Sequence, residues 1–487
     1  MQGLQDAGLF REANYIDGKW ISANLAHSIP VINPYDQNIL GYVPVATKAD
    51  ISTAIEAAHQ AWLGWRACTA KERADLLISW SELIEQHKDD LARILTLEQG
   101  KPLQESRGEI EYANSFIRWF AEEGRRVYGD IIPANKKQQH LLVIKQSIGV
   151  VAAITPWNFP AAMITRKIAP ALAVGCAVVV KPAEETPFTA LALAVLAERA
   201  GLPKGVFNVV TGDAEEIGKE MTRHPLVRKV SFTGSTRVGR ILMEQCASTI
   251  KKVSLELGGN APFIVFEDAD LTAAVEGALL SKFRNSGQTC VCANRILIQD
   301  SIYDEFTARF TEEIKKLRVG NGLDESVQQG PLINKNALVK VQAHIADALE
   351  HGGRVLLGGK VKDGLLFEPT VIANANASML LAREETFGPV APLFRFQTEA
   401  SALELANATE FGLAAYFYTK NIDRIWRVAE ALEYGMVGIN TGLVSTEVAP
   451  FGGIKQSGIG REGSKYGVDD YIELKYLCLN VATAVAT

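Results

Sequence analysis

From Gly149 onward the chain alternates short apolar runs with helical segments, and nothing else in it restricts the fold so strongly. The runs are Val150 to Ile154, Ala177 to Lys181, Val206 to Val210 and Lys229 to Phe232. Helical spacing covers Ala161 to Val174, Thr189 to Ala200, Ala214 to Thr222 and Thr236 to Gln245. Repeated strand–helix–strand units close as a parallel, doubly wound sheet, with ligand at the carboxyl ends of its strands. A second α/β set runs from Ala261 to about Gly438. It holds a long helix, Asp270 to Lys282, and the strands Arg295 to Ile298 and Val390 to Phe396.

The remaining segments are of two kinds. Asp50 to Trp65 and Lys71 to Gln99 have helical apolar spacing, and Pro102 opens another helix carrying Ile110, Tyr112, Phe116, Trp119 and Phe120. Lys136 to Lys145 and Tyr471 to Leu479 read as exposed strands outside both sheets. Long strands of that kind need a partner, so pairing between subunits is expected.

Composition excludes several classes of function. The 487 residues allow two or three domains, and 47% hydrophobic with 22% charged residues is the profile of a soluble globular protein. With net charge −6 and no basic stripe, nucleic acid is not expected as a partner. The longest apolar region, Ile168 to Val180, is broken by Pro170 and Gly175 and is too short to span a bilayer. Met1 to Ala13 lacks the basic flank and apolar core of a secretory signal. Six cysteines in so long a chain make no disulfide framework, and a reducing cytoplasm is the expected setting. The seven histidines are scattered, so no metal site is expected.

Four segments carry chemistry. Gly287-Gln288-Thr289-Cys290-Val291-Cys292 sets a cysteine after a polar turn, where substrate and water can reach a thiolate. Thr155-Pro156-Trp157-Asn158-Phe159-Pro160 follows an apolar strand, and its prolines preset Asn158 to donate to an oxyanion. Alone, Asn158 reads as a turn asparagine bonding its own backbone. Glu256, at a strand end before Gly258 and Gly259, suits a general base and equally suits an ion-paired carboxylate. Lys181 and Glu184 follow the run Val178 to Val180, well placed for the ribose hydroxyls of a dinucleotide. Gly234-Ser235 opens a helix whose amides suit a pyrophosphate, although a plain N-cap looks the same.

Taken together, these segments resemble the aldehyde dehydrogenase superfamily, as do Glu384-Glu385-Thr386-Phe387-Gly388-Pro389 and Pro450-Phe451-Gly452-Gly453. The resemblance covers nearly the whole chain and implies an α/β fold in three parts. These are a Rossmann-like NAD(P)-binding domain (1–128 and 148–258), a catalytic domain (259–460) and a small β oligomerisation arm (129–147 and 461–487). Subunits of such proteins assemble as dimers or tetramers. The resemblance makes Cys290 the nucleophile, Glu256 the general base and Asn158, with the Cys290 amide, the oxyanion hole. Thr155, Pro156, Trp157, Lys181, Ala183, Glu184, Gly234, Ser235, Leu257, Glu385 and Phe387 are the implied cofactor residues. The implied reaction passes through a thiohemiacetal and a thioester on Cys290, which water activated by Glu256 hydrolyses.

Arg166 and Arg284, two arginines arriving near one cleft, favour an aldehyde that carries a carboxylate. Either one alone reads equally as the partner of a structural carboxylate. With Gly287 to Arg295 and Asn440 to Ser445 they look very like the branch that oxidises succinate semialdehyde in the GABA shunt. By that likeness Arg166, Arg284 and Ser445 hold the distal carboxylate. Glutarate semialdehyde, one methylene longer, is the nearest alternative. A carboxylate at Glu184 accepts from a ribose 2′-OH and repels a 2′-phosphate, so NAD is expected over NADP. Cys292 admits two readings, a partner for a strained regulatory bond to Cys290 or a small thiol filling a gap. A catalytically silent homologue would have lost Cys290 or Glu256, and a relative that transfers acyl groups to coenzyme A would have less use for Glu256.

Overall fold

The computed structural model describes residues 3–22 and 25–481. Residues 482–487 of the expected arm, and 1, 2, 23 and 24 of the expected first domain, lie outside them.

Two sheets carry the site. In the first, the neighbours run Lys19–Ile21, Asn14–Ile16, Phe207–Val209, Ala177–Lys181, Val150–Ile154, Val227–Thr233, Lys252–Glu256 and Gly458–Ile459. The five strands from Phe207–Val209 to Lys252–Glu256 are parallel, and the pairs at either edge are antiparallel. In the second, Arg354–Leu357, Thr370–Ala375, Val390–Phe396, Ala293–Gln299, Ala261–Val265, Ala414–Tyr418 and Met436–Ile439 follow in order. All but the first pair are parallel. The α/β alternation of the sequence is thus two wound sheets, whose strands are almost continuously apolar because both faces are covered.

Helix Ala162–Ala173 is buried along its whole length and leads directly from the Asn158 turn. It packs on helix Leu103–Glu123, which turns Ile110, Ala113, Phe116, Ile117 and Phe120 inward. Each such large side chain contributes about 1.5–3 kcal/mol of burial, so the turn is set on a rigid base. The expected helical stretch Lys71 to Gln99 is two helices, Ala70–Gln86 and Lys88–Gln99. The break at His87 lets Asp90, at the second helix's first turn, accept from the amides of Gln5 and Asp6.

A third, antiparallel sheet stands apart: Ile472–Asn480 pairs with Gln139–Ser147, and that with Asp130–Ile132. Ile131, Leu474, Tyr476 and Leu479 are exposed on it. Among the described residues no helix is long and apolar enough to cross a membrane.

Candidate active site

The cysteine loop is locked by unusual backbone. Asn285, Ser286 and Gly287 are all left-handed, with φ of 51°, 57° and 72°. Such conformations cost on the order of 1–3 kcal/mol for residues bearing a Cβ and persist only when surroundings enforce them. Gln288 supplies part of that enforcement. Its side chain donates to Asn285 O and accepts from the Ile333 amide at 3.0 Å. At Gly287 a Cβ would overlap the carbonyl oxygen of Gly388, so only glycine fits. Cys290 follows, half-buried. Burial pushes its thiol up to about 12; Arg166 works the other way, and Glu385 and Glu256 reinforce the rise.

Asn158 is held against this loop. Its Nδ2 donates to Gln288 O at 3.1 Å, and its backbone oxygen accepts from Lys101 Nζ at 2.7 Å and Asn285 Nδ2 at 3.0 Å. Lys101 is itself paired with Glu109 at 2.6 Å, and Glu109 accepts from the Ala161 amide at 2.9 Å. A fully buried ion pair therefore fixes both ends of the turn. One Nδ2 hydrogen serves Gln288, which leaves the second for a substrate oxygen.

Glu256 ends strand Lys252–Glu256, one residue before the loop that returns through Gly258 and Gly259. Its Oε2 is buried with no hydrogen-bond partner. Burial, then the neighbouring Glu462, drives its pKa well above the ordinary carboxylate range. Glu462 itself stays ionised, because Lys167 Nζ at 2.6 Å and Arg166 Nε at 2.8 Å hold it against its own burial.

These groups share one cavity of 670 Å³. Pro156, Trp157, Asn158, Gly234, Ser235, Glu256, Leu257, Cys290, Glu385 and Phe387 all line it. Trp157 and Phe387 meet edge to face with centroids 5.5 Å apart, and Phe387 takes a left-handed φ of 55°. Glu385 accepts from the Gly259 amide at 3.2 Å, and burial lifts its pKa to about 7. Helix Thr236–Ala247 begins here, capped by Ser235.

A second cavity of 620 Å³ shares Ile333, Asn334 and Asn336 with the first and brings in Glu184. Glu184 pairs with Lys181 at 2.9 Å. Thr155, Lys181 and Ala183 are buried and line neither cavity, although the Thr155 amide donates to Lys181 O. A third cavity of 310 Å³ is lined by Phe159, the residue after Asn158 in the chain, with Arg284 and Ser445 also on its wall. Arg166 is not on that wall; it is 1% exposed, paired with Glu462 and packed over the Phe451 ring. Its charge is kept in spite of burial, first of all by Glu462.

Cys292 is buried, and its sulfur lies 3.4 Å from Lys282 Nζ. Burial raises its thiol and Lys282 opposes that rise. Both cysteines are free. The roles of Lys101, Glu109, Asn285, Lys167 and Glu462 are not legible in the sequence, because a lone polar or charged side chain in a turn or helix gives no sign of a distant partner.

The family model for the aldehyde dehydrogenase family matches residues 20–477. The chain is 61% identical over 480 residues to "Succinate-semialdehyde dehydrogenase [NADP(+)] GabD" of Escherichia coli, covering 98% of this chain and 100% of that one. It is 60% identical to a glutarate-semialdehyde dehydrogenase of Pseudomonas putida, covering 98% of this chain and 100% of the relative. The solved structure of an E. coli NADP-dependent enzyme superposes with a TM-score of 0.97 at 61% identity, covering 98% of this chain and 100% of the other. Agreement along the whole length, in sequence and in backbone, makes this chain a member of the aldehyde dehydrogenase family.

Proposed function

We propose that this chain oxidises succinate semialdehyde to succinate, using a nicotinamide dinucleotide and a thioester on Cys290. The observation that carries the substrate is the third cavity, whose wall holds Arg284, Ser445 and Phe159, the residue that follows Asn158 in the chain. Its guanidinium suits a carboxylate at the far end of a short aldehyde. The E. coli relative named for that substrate supports the same reading. A methylene is worth only about 1–3 kcal/mol in a pocket, so glutarate semialdehyde is expected to be turned over as well.

The residues fit a dinucleotide. Two joined cavities give it an extended bed, Thr233 Oγ1 is buried there without a partner, and a Cβ on Gly258 would come within 3.3 Å of Glu385. Gly234 and Ser235 at the helix start would hold the phosphates, Glu385 and Lys181 with Glu184 the two riboses, and Trp157 and Phe387 the nicotinamide. When bound, the nicotinamide supplies the acceptor for the aldehyde's hydrogen and electron pair.

The chain's own groups do the rest. Glu256, a carboxylate with raised proton affinity, is suited to take the proton of the hydrolytic water. Arg166 favours the thiolate that attacks the aldehyde carbon. The oxyanion then accepts from Asn158 Nδ2 and the Cys290 amide. Water directed by Glu256 releases the acid and restores the thiol.

For the cofactor we infer NAD over NADP from the carboxylate of Glu184, with dual use allowed for by Lys181 beside it. The exposed apolar residues of the third sheet support assembly as a dimer or tetramer through residues 129–147 and 461–487. The segments 1–128 with 148–258, and 259–460, would be the cofactor and catalytic domains. Free cysteines throughout suit a reducing cytoplasm. A regulatory Cys290–Cys292 bond is supported if peroxide inactivation is reversed by dithiothreitol and abolished in Cys292→Ala; unchanged sensitivity dismisses it. The decisive assay measures kcat/KM for succinate semialdehyde, glutarate semialdehyde and butanal with NAD and with NADP, in wild type, Glu184→Ser and Arg284→Ala. A neutral aldehyde preferred over both acids would overturn the substrate, and NADP preferred by the wild type would overturn the cofactor.

A further inference from the structure

The third cavity holds one polar group that shares helical spacing with Ile110, Phe116 and Phe120. Tyr112 lies on helix Leu103–Glu123, and its ring packs edge-on against Phe116 at 5.0 Å. Its hydroxyl is buried and has no hydrogen-bond partner, although the residue lines the cavity beside Arg284 and Ser445. Ser445 adjoins it without closing a hydrogen bond. Two cations act on it from the neighbourhood, Arg166 and Arg284. Of these Arg166 is committed to Glu462 and is off the cavity wall, with Nη2 also unpartnered.

A buried hydroxyl left without a partner costs about 1–3 kcal/mol. A tyrosine in such a place has a use when something else brings the acceptor. The two carboxylates on this wall are committed elsewhere. Glu105 accepts from the Asn285 amide at 2.8 Å, and Glu109 is paired with Lys101. Arg284 lies over the Phe159 ring at 4.8 Å, which leaves its guanidinium edge for an anion.

We propose that Tyr112 is a substrate-binding residue: its hydroxyl donates to the distal carboxylate of the aldehyde, alongside Arg284 and Ser445. Arg166 then acts from behind as a fixed charge and makes no direct contact. This rests on the carboxylated-aldehyde reading above. The geometry explains why a tyrosine, and no third arginine, is tolerated here. It adds a directional donor without adding a charge beside Arg166 and Arg284. The neutral phenol is also the stable form, since burial raises its pKa.

The test compares Tyr112→Phe and Arg284→Ala with wild type on succinate semialdehyde and on butanal, which has the same carbon count and no carboxylate. Tyr112→Phe should raise KM for succinate semialdehyde about tenfold to a hundredfold, with kcat nearly unchanged and butanal unaffected. If Arg284→Ala selectively weakens succinate semialdehyde while Tyr112→Phe changes nothing, the tyrosine assignment is overturned and the carboxylate reading stands. Equal losses on both aldehydes in Tyr112→Phe would overturn it too, as the mark of a packing role. If Arg284→Ala treats both aldehydes alike, the carboxylate reading falls and the tyrosine assignment goes with it.

Discussion

Glu98 and Glu256 are both fully buried carboxylates, and they teach opposite lessons. Glu98 reaches from helix Lys88–Gln99 to the start of helix Pro187–Arg199. It accepts from the Phe188 amide at 2.7 Å, the Thr189 amide at 2.9 Å and the Thr189 hydroxyl. Its oxygens cap a helix that has no cap from its own Thr186. Glu256 ends a strand facing the large cavity and leaves Oε2 without any partner. Burial raises the pKa of both. A shifted pKa therefore does not mark a site by itself. The unspent oxygen does, because it is available to a proton that comes and goes.

Glu256→Gln is the sharpest way to break this contrast. Hydrolysis should slow by about 10²–10⁴, with an unchanged unfolding midpoint and a retained burst of reduced nicotinamide in stopped flow. Loss of the burst would show that Glu256 also ionises Cys290 in an essential way. Glu98→Gln, by contrast, should leave the turnover of the folded enzyme intact.

Asn158→Ala comes next, slowing acylation by about a hundredfold, read from the burst rate. Its thermal midpoint should fall little, since the backbone oxygen that binds Lys101 and Asn285 is kept.

The pH profile gives a smaller effect. Glu256 and Cys290 both hold protons above their ordinary values, so their working forms increase as pH rises. Wild-type kcat/KM should climb severalfold from neutral into the alkaline range. A flat or falling limb there would break the assignment of both groups.

The smallest effect concerns stability. Glu98 titrates near 8 in the folded chain against 4.5 as its ordinary value. Across that window the folded state keeps a proton that the unfolded chain releases. The stabilising contribution is thus complete below the lower value and lost as pH rises towards the upper one. Denaturant melts at several pH values should show that slope in wild type and a flatter one in Glu98→Gln.

Much of this was legible in the chain, and the division is physical. The parallel strands announced themselves, because strands buried on both faces are short unbroken apolar runs such as Ala177–Lys181. Cys290, Asn158 and Glu256 stood out through turns and glycines that force their local backbone. What could not be read was pairing across the chain. Lys101 meets Asn158 57 positions away, and Lys167 meets Glu462 across 295. A lysine before a proline looks like any solvated turn until the fold closes over it. Tyr112 shared helical spacing with core aromatics, and spacing does not say that its hydroxyl would find no partner. Nor does the sequence around Arg166 show that Glu462, near the other end of the chain, pairs with it.

Gly287 has one more consequence. Its lack of a side chain lets the cysteine loop rest directly on the carbonyl of Gly388, and the residue before that carbonyl is Phe387. The loop that carries the attacking sulfur and the loop that carries the ring facing Trp157 are therefore spaced from a single point of contact. Any substituent at 287 would act as a shim between them. It would displace both sides of the chemistry together, so the register of the reaction is gauged by the thickness of a peptide backbone.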